Sequence, residues 1–153
     1  MSQALDGEQV VGGQVYTNPP GALMSIRGGK ITLEARPANP TARKPIDYFM
    51  AALAEDVGDK SVGIVLSGTD HDGSIGLKAI KAAGGLALVQ SPGTAQFPSM
   101  PDSAIDTGAA DQVLAAKDMP AALYEYFAHV PDVLGRGHGN SRRRRERRFE
   151  PGA

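Results

Sequence analysis

Two short apolar runs flank a helix-period segment in the middle of this sequence, and no other feature constrains the fold as much. "SVGIVLS" (61–67), rich in β-branched residues, and "LALVQ" (86–90) are short apolar runs, and they read as buried strands. Between them, "SIGLKAIKAAGG" (74–85) places apolar residues at 75, 77, 79, 80, 82 and 83, the spacing of a helix, and stops at Gly84-Gly85. Strand, helix and strand in that order make a βαβ unit, whose strands run parallel and whose crossover is right-handed.

The flanking segments extend this pattern. "QVYTN" (14–18) alternates and then meets the turn signal Pro19-Pro20-Gly21. "ALMSI" (22–26), Gly28-Gly29 and "KITLEA" (30–35) predict a β-hairpin. After the Pro-rich connection "RPANPTARKP" (36–45), Pro45 suits a first helical position. From there, apolar residues at 46, 49, 50, 53, 54 and 57 predict a helix that Gly58 closes. Downstream lie a long loop (91–101), a short helix over 101–107, a strand near "DQVLA" (111–115) and a helix over 117–130. The class is α/β, with a β-hairpin near the N-terminus.

Composition bounds the function. With no Trp, four Phe and four Tyr, the core must rest on aliphatic residues and Met. With no Cys, disulfides, thiolate metal sites and a Cys nucleophile are excluded, which fits a reducing compartment. The first 15 residues lack a basic start and an apolar block, and no apolar run approaches the roughly 20 residues of a membrane span, so the expectation is a cytoplasmic chain. The formal charge of −1 conceals an asymmetry: residues 1–135 carry −6, whereas 136–153, with seven Arg and two Glu, carry +5. The expected division is therefore a domain over 1–135 and an Arg-rich, disordered tail over 136–153. Such a tail could touch RNA, anionic lipid or an acidic protein face, but a solvated extension is the ordinary behaviour of chain ends, and nucleic acid is not the expected partner.

The chemistry-bearing stretch is "SGTDHDG" (67–73), at the end of the first buried strand. In open α/β sheets, sites form beyond the carboxyl ends of parallel strands. Asp72 directly precedes the helix that begins near Ser74, where a carboxylate is favoured by capping and by the helix dipole. Asp72 as a plain helix cap, Asp70 as a turn residue and His71 as a solvated loop residue are the structural alternatives to a functional site. Among chemistries, "DHDGS" is similar to the D-x-D-G-[ST] signature of haloacid-dehalogenase-type phosphatases, but three residues separate the first Asp from the strand and no later acidic pair for Mg²⁺ is evident. An EF-hand fails on the glycine position and the missing closing Glu. A triad of Ser67, His71 and Asp72 would need neighbouring side chains of one loop to align in a single hydrogen-bonded line.

Taken together, the blocks resemble the catalytic domain of the CheB-type protein-glutamate methylesterases of bacterial chemotaxis. The family's [TS]-G-x-x-x-D-G-x-x-G loop, between a buried strand and a helix ending in Gly-Gly, is matched by "GIVLSGTDHDGSIGLKAIKAAGG" (63–85). Its A-x-F-P-x-M-P-x-x-A-I loop is matched by "AQFPSMPDSAI" (95–105), leading into "TGAADQVL" (107–114), and its G-x-V-Y-x-x-P-P segment by "GQVYTNPPG" (13–21). The resemblance runs from about residue 8 to about residue 128.

It implies a doubly wound, mostly parallel sheet in a Rossmann-like three-layer sandwich. It also implies hydrolysis of glutamate γ-methyl esters, and deamidation of certain glutamines, on methyl-accepting chemotaxis receptors. The family uses a Ser-His-Asp triad, with no cofactor and no metal. The triad Asp maps onto Asp72, and an oxyanion-hole backbone N–H maps onto Thr69, where the family usually has Met. The family's nucleophile, in a G-x-S-x-G-G turn, and its His, on the next strand, have no match here. No serine of this sequence lies in a G-x-S-x-G context, and the three histidines are His71, His129 and His138. The expectation is a partial domain that starts beyond both residues and has little esterase activity alone. It would need another chain or domain to supply the Ser and His, or would act as a non-catalytic binding remnant. A sheet so truncated should leave an uncovered edge or face.

Overall fold

The apolar runs at 62–65, 86–90 and 112–114 line up as one parallel sheet. In a computed structural model, which describes residues 1–42 and 44–129, β5 (Val62–Val65), β6 (Leu86–Gln90) and β7 (Gln112–Leu114) pair in the order β5-β6-β7. The register sets Val62 opposite Leu86 and Leu88 opposite Gln112. Helix α2 (Ser74–Ala82) crosses from β5 to β6, and α3 (Ser99–Asp106) from β6 to β7. α2 ends in a Schellman arrangement: the Gly85 N–H donates to Ile80 O and the Gly84 N–H to Lys81 O, both at 3.0 Å. Gly84 there has φ 83°, the left-handed conformation that favours glycine.

The pleat of β6 divides the core between the sheet's two faces. Leu86 and Leu88 pack with Met119 and Ala122 of α4 (Met119–His129). Ala87 and Val89 point the other way, into a cluster with Leu77 and Ile80 of α2, Ala104 of α3, and Met50 and Ala54 of α1 (Pro45–Val57). Helices thus cover both faces, giving the Rossmann-like three-layer sandwich. α1 lies over α2 as an outer element and packs against the antiparallel hairpin β3 (Ala22–Arg27) and β4 (Lys30–Ala35). Asp56 of α1 ties the hairpin down by accepting from the N–H groups of Gly28 (2.5 Å) and Gly29 (3.1 Å). On the far face, the Tyr126 hydroxyl donates to the carbonyls of Asp59 and Gly84. Burial, followed by the Asp59 and Asp111 charges, raises the pKa of that hydroxyl above its ordinary value and keeps it a donor.

Pro45 begins α1 and Gly58 caps it, as the sequence predicts. Elsewhere the boundaries differ. α3 starts at Ser99 rather than 101, with Pro101 inside its first turn, where a missing N–H costs nothing. The strand expected over 14–18 shrinks to β2 (Tyr16–Thr17), which pairs in parallel with β1 (Ser2–Gln3). The Arg-rich tail expected over 136–153, with His138, lies outside the described residues. Among the described residues the outer sides of both β5 and β7 pair with no further strand. No helix among these residues is long and apolar enough to cross a membrane.

The α1–α2 crossing depends on Gly76. A Cβ there would lie 2.7 Å from Met50 Cβ and 3.0 Å from the Asp47 Cα. Gly→Ala inside a helix ordinarily stabilises by about 1 kcal/mol. At Gly76 the sign should reverse, with Gly76→Ala costing about 1–3 kcal/mol through the forced separation of the helices, read as a lowered urea midpoint.

Candidate active site at the β5 rim

The chain leaves β5 at Val65 and enters the loop Leu66–Gly73 on the carboxyl side of the sheet, the edge where α/β folds place their sites. The loop is fastened to the connection after β6. The Ser67 N–H donates to Gln90 Oε1 (2.9 Å), the Phe97 N–H donates to Ser67 Oγ (2.9 Å), and the Met100 N–H donates to Gly68 O (3.0 Å). Thr69 then stands exposed, and its backbone N–H donates to no acceptor among the described residues.

The next three residues separate. Asp70 has φ 80°, the only positive φ among the described non-glycine residues. Asp tolerates this conformation because its short carboxylate can bond locally, and here it accepts from the N–H of His71 at 2.6 Å. Asp70 Oδ1 also lies 2.6 Å from His71 Nδ1, and His71 Nε2 lies 3.3 Å from Lys44 Nζ. This cluster points outward, with the Asp70 and His71 side chains more than 60% exposed. It borders a cavity of about 300 Å³ lined by Pro40, Thr41, Lys44, Asp70 and His71.

Asp72 points the other way and is buried. Its Oδ2 accepts from the Ile46 N–H (3.0 Å) and its Oδ1 from the Asp47 N–H (2.9 Å). Asp72 is therefore a helix cap, but for α1 rather than for the helix it precedes. The cap of α2 comes from α1 in return: Asp47 Oδ1 accepts from the N–H groups of Gly73 (2.9 Å) and Gly76 (2.7 Å). The alternative in which Asp72 caps its own helix is corrected: its bonds go to α1. Gly73, at φ 99°, is the N-cap residue of α2 and has no side chain to offer. α1 has the same deficit, because Lys44 at its N-cap makes no side-chain cap bond. Each helix start lacks an acceptor of its own and takes one from its neighbour.

The structure does not bring Ser67, His71 and Asp72 together. The three side chains engage Phe97, the Asp70–Lys44 pair, and the α1 amides respectively. Among the described residues no cluster of three His, Cys, Asp or Glu is arranged to hold a metal. Sequence reasoning missed Asp47. The available signal was its register: 47, 50 and 54 form the buried stripe of α1, so a carboxylate at 47 had to find donors inside.

Comparison with known proteins bears on this geometry. A family model described as CheB methylesterase matches residues 1–123. A protein-glutamate methylesterase/protein-glutamine glutaminase of Oleidesulfovibrio alaskensis is 35% identical over 127 residues, which cover 80% of this chain and 34% of that protein. A 104.1 kDa uncharacterized protein of Rhodobacter capsulatus is 34% identical over 126 residues, covering 82% of this chain and 13% of that protein. The chain thus spans about a third or less of the length of these two relatives. The crystal structure of the Thermotoga maritima CheB methylesterase catalytic domain is similar at a TM-score of 0.70 and 30% identity, covering 80% of this chain and 67% of that one.

The reciprocal caps are testable by stability alone. Asp72→Ala strands two helix-start amides and should cost about 2 kcal/mol. Asp47→Ala should cost a similar amount, about 2 kcal/mol, for the same reason. Asp72→Asn keeps one acceptor but turns an N–H₂ toward the second amide, so it should cost about 1 kcal/mol, less than Asp72→Ala. Urea unfolding of the three variants checks the ranking, and an Asp72→Ala midpoint equal to the parent's would refute the cap.

Proposed function

We infer function from one premise: the chain belongs to the CheB methylesterase family. We propose that it contributes the carboxylate member of a Ser-His-Asp centre in the cytoplasm, acting on methyl-accepting chemotaxis receptors. The reaction is hydrolysis of glutamate γ-methyl esters, with deamidation of glutamines alongside. The observation that carries this reading is the family match over 1–123 together with Asp72, the one acidic residue mapping to the family's triad, at the carboxyl rim of β5. Residues 1–135 act as a partial catalytic domain and 136–153 as a separate tail.

The proposed chemistry is acyl transfer. A serine oxygen adds to the ester carbonyl while a histidine takes its proton, and the oxyanion gathers backbone donors, among them the Thr69 N–H. The proton passes to the departing methoxide, methanol leaves, and water cleaves the acyl intermediate to the free glutamate carboxylate. Asp72 orients the imidazole and stabilises its charged form. The serine and histidine come from outside this sequence, which has no G-x-S-x-G turn.

A second reading has its own support. Both Asp72 oxygens already accept from α1 and the side chain is buried, so capping alone accounts for its presence. On that reading the chain is a binding module and hydrolyses nothing.

Asp72→Asn separates the two. The assay is methanol release from glutamate-methylated receptor by the full chain, alone and with an added segment carrying the family's G-x-S-x-G-G turn and histidine strand. The chain alone should release methanol at background. The mixture should turn over, and Asp72→Asn should lower its rate about 10⁴-fold while leaving stability within about 1 kcal/mol of the parent. A mixture that stays at background, or an Asp72→Asn mixture as fast as the parent, favours the binding module.

A further inference from the structure

The esterase reading leaves one cluster at the same rim unused. Asp70, His71 and Lys44 form a bonded chain along the wall of the 300 Å³ cavity. In the tautomer with its proton on Nδ1, facing the Asp70 carboxylate, Nε2 is left to accept from the Lys44 ammonium. The positive charge of Lys44 thus rests on a neutral nitrogen, and no carboxylate among the described residues lies within ion-pair distance of it.

Local folding does not call for a cation at this place. Lys44 is the N-cap residue of α1 and contributes no side-chain cap bond. A positive charge at the positive end of a helix is disfavoured. The helix terminus is not itself the vacant acceptor of an anion, because Asp72 already occupies the N–H groups of Ile46 and Asp47. What remains is an ammonium beside an open cavity, with its one partner already polarised by Asp70.

We propose that the Lys44–His71 wall of this cavity binds a carboxylate of an acidic peptide. An entering carboxylate accepts from the ammonium and completes an alternation of acid, imidazole, cation and acid. Lys44 lies two residues before Ile46, whose N–H holds Asp72, so a peptide anchored at Lys44 runs beside the loop that carries Asp72 and Thr69. A glutamyl methyl ester is uncharged and offers nothing to the ammonium. The cavity therefore reads a free acidic residue flanking the ester rather than the ester itself. The choice of peptide rests on the methylesterase reading; the anion site does not.

The test is amide chemical-shift titration of the full ¹⁵N-labelled chain. The probes are two short, end-blocked peptides of one sequence, with glutamate or glutamine at a single position. The glutamate peptide should move the Thr41, Lys44 and His71 amides saturably and bind about fivefold more tightly than the glutamine peptide, the scale of one exposed ion pair. Lys44→Gln should erase that difference and Lys44→Arg should retain it, with the rest of each spectrum unchanged. Equal affinity for the two peptides overturns the proposal, as does the absence of any saturable shift or a preference that survives Lys44→Gln. No hydrolysis is read, so binding without turnover in the methanol assay would keep this site and remove the esterase reading.

Discussion

Two helices that begin side by side bring two sets of unpaired amides, and two positive dipole ends, to one place. In this domain α1 and α2 cross closely at Gly76, and neither carries an acceptor at its own N-cap. Two carboxylates exchanged between them satisfy four amides: Asp72 serves Ile46 and Asp47, and Asp47 serves Gly73 and Gly76. Helix ends buried without acceptors would cost several unmet hydrogen bonds. The bonds join residues 25 to 29 positions apart in the chain, so they form only once the helices have docked. The exchange therefore registers tertiary structure rather than local propensity, and it holds the β5 loop against α1 at the point where the chain leaves the sheet.

The capping seen at Asp72 is compatible with the catalytic role proposed for it. An ionised carboxylate offers about four acceptor sites, of which the α1 amides take two. In a Ser-His-Asp centre the acid is itself buried and hydrogen-bonded, since its work is to hold an imidazole in one tautomer and one orientation. A carboxylate free to rotate would do this poorly. Pinning by two amides at the start of a 13-residue helix would supply the rigidity that the proposed role requires.

Much of this arrangement could be read from the chain before folding was considered. Period-2 and period-3.6 patterns located the sheet, the hairpin and the helices, and Pro45 and Gly58 marked the ends of α1 because proline and glycine act locally. The family motifs singled out Asp72 as a candidate. What escaped was long-range. Asp72 stands two residues before Ser74, so the sequence assigns its carboxylate to α2, and nothing nearby reveals that α1 arrives with an uncapped end. Asp47 reads as an ordinary acidic residue of a first helical turn until α2 is packed against it. The start of α3 shifted for a related reason: Met100 is drawn into the core cluster and its N–H to Gly68 O, which extends the helix back to Ser99.

The left-handed turn at Asp70 gives the loop its division of labour. In an extended segment, residues two apart share a face, and Asp70 and Asp72 would point the same way. At φ 80° the backbone reverses, so Asp70 and His71 stay in solvent while Asp72 enters the interior. Three consecutive polar residues thereby serve two environments. The inner one presents a fixed negative charge to the interior of the rim, and the outer one presents Lys44 and an imidazole to a cavity on its surface.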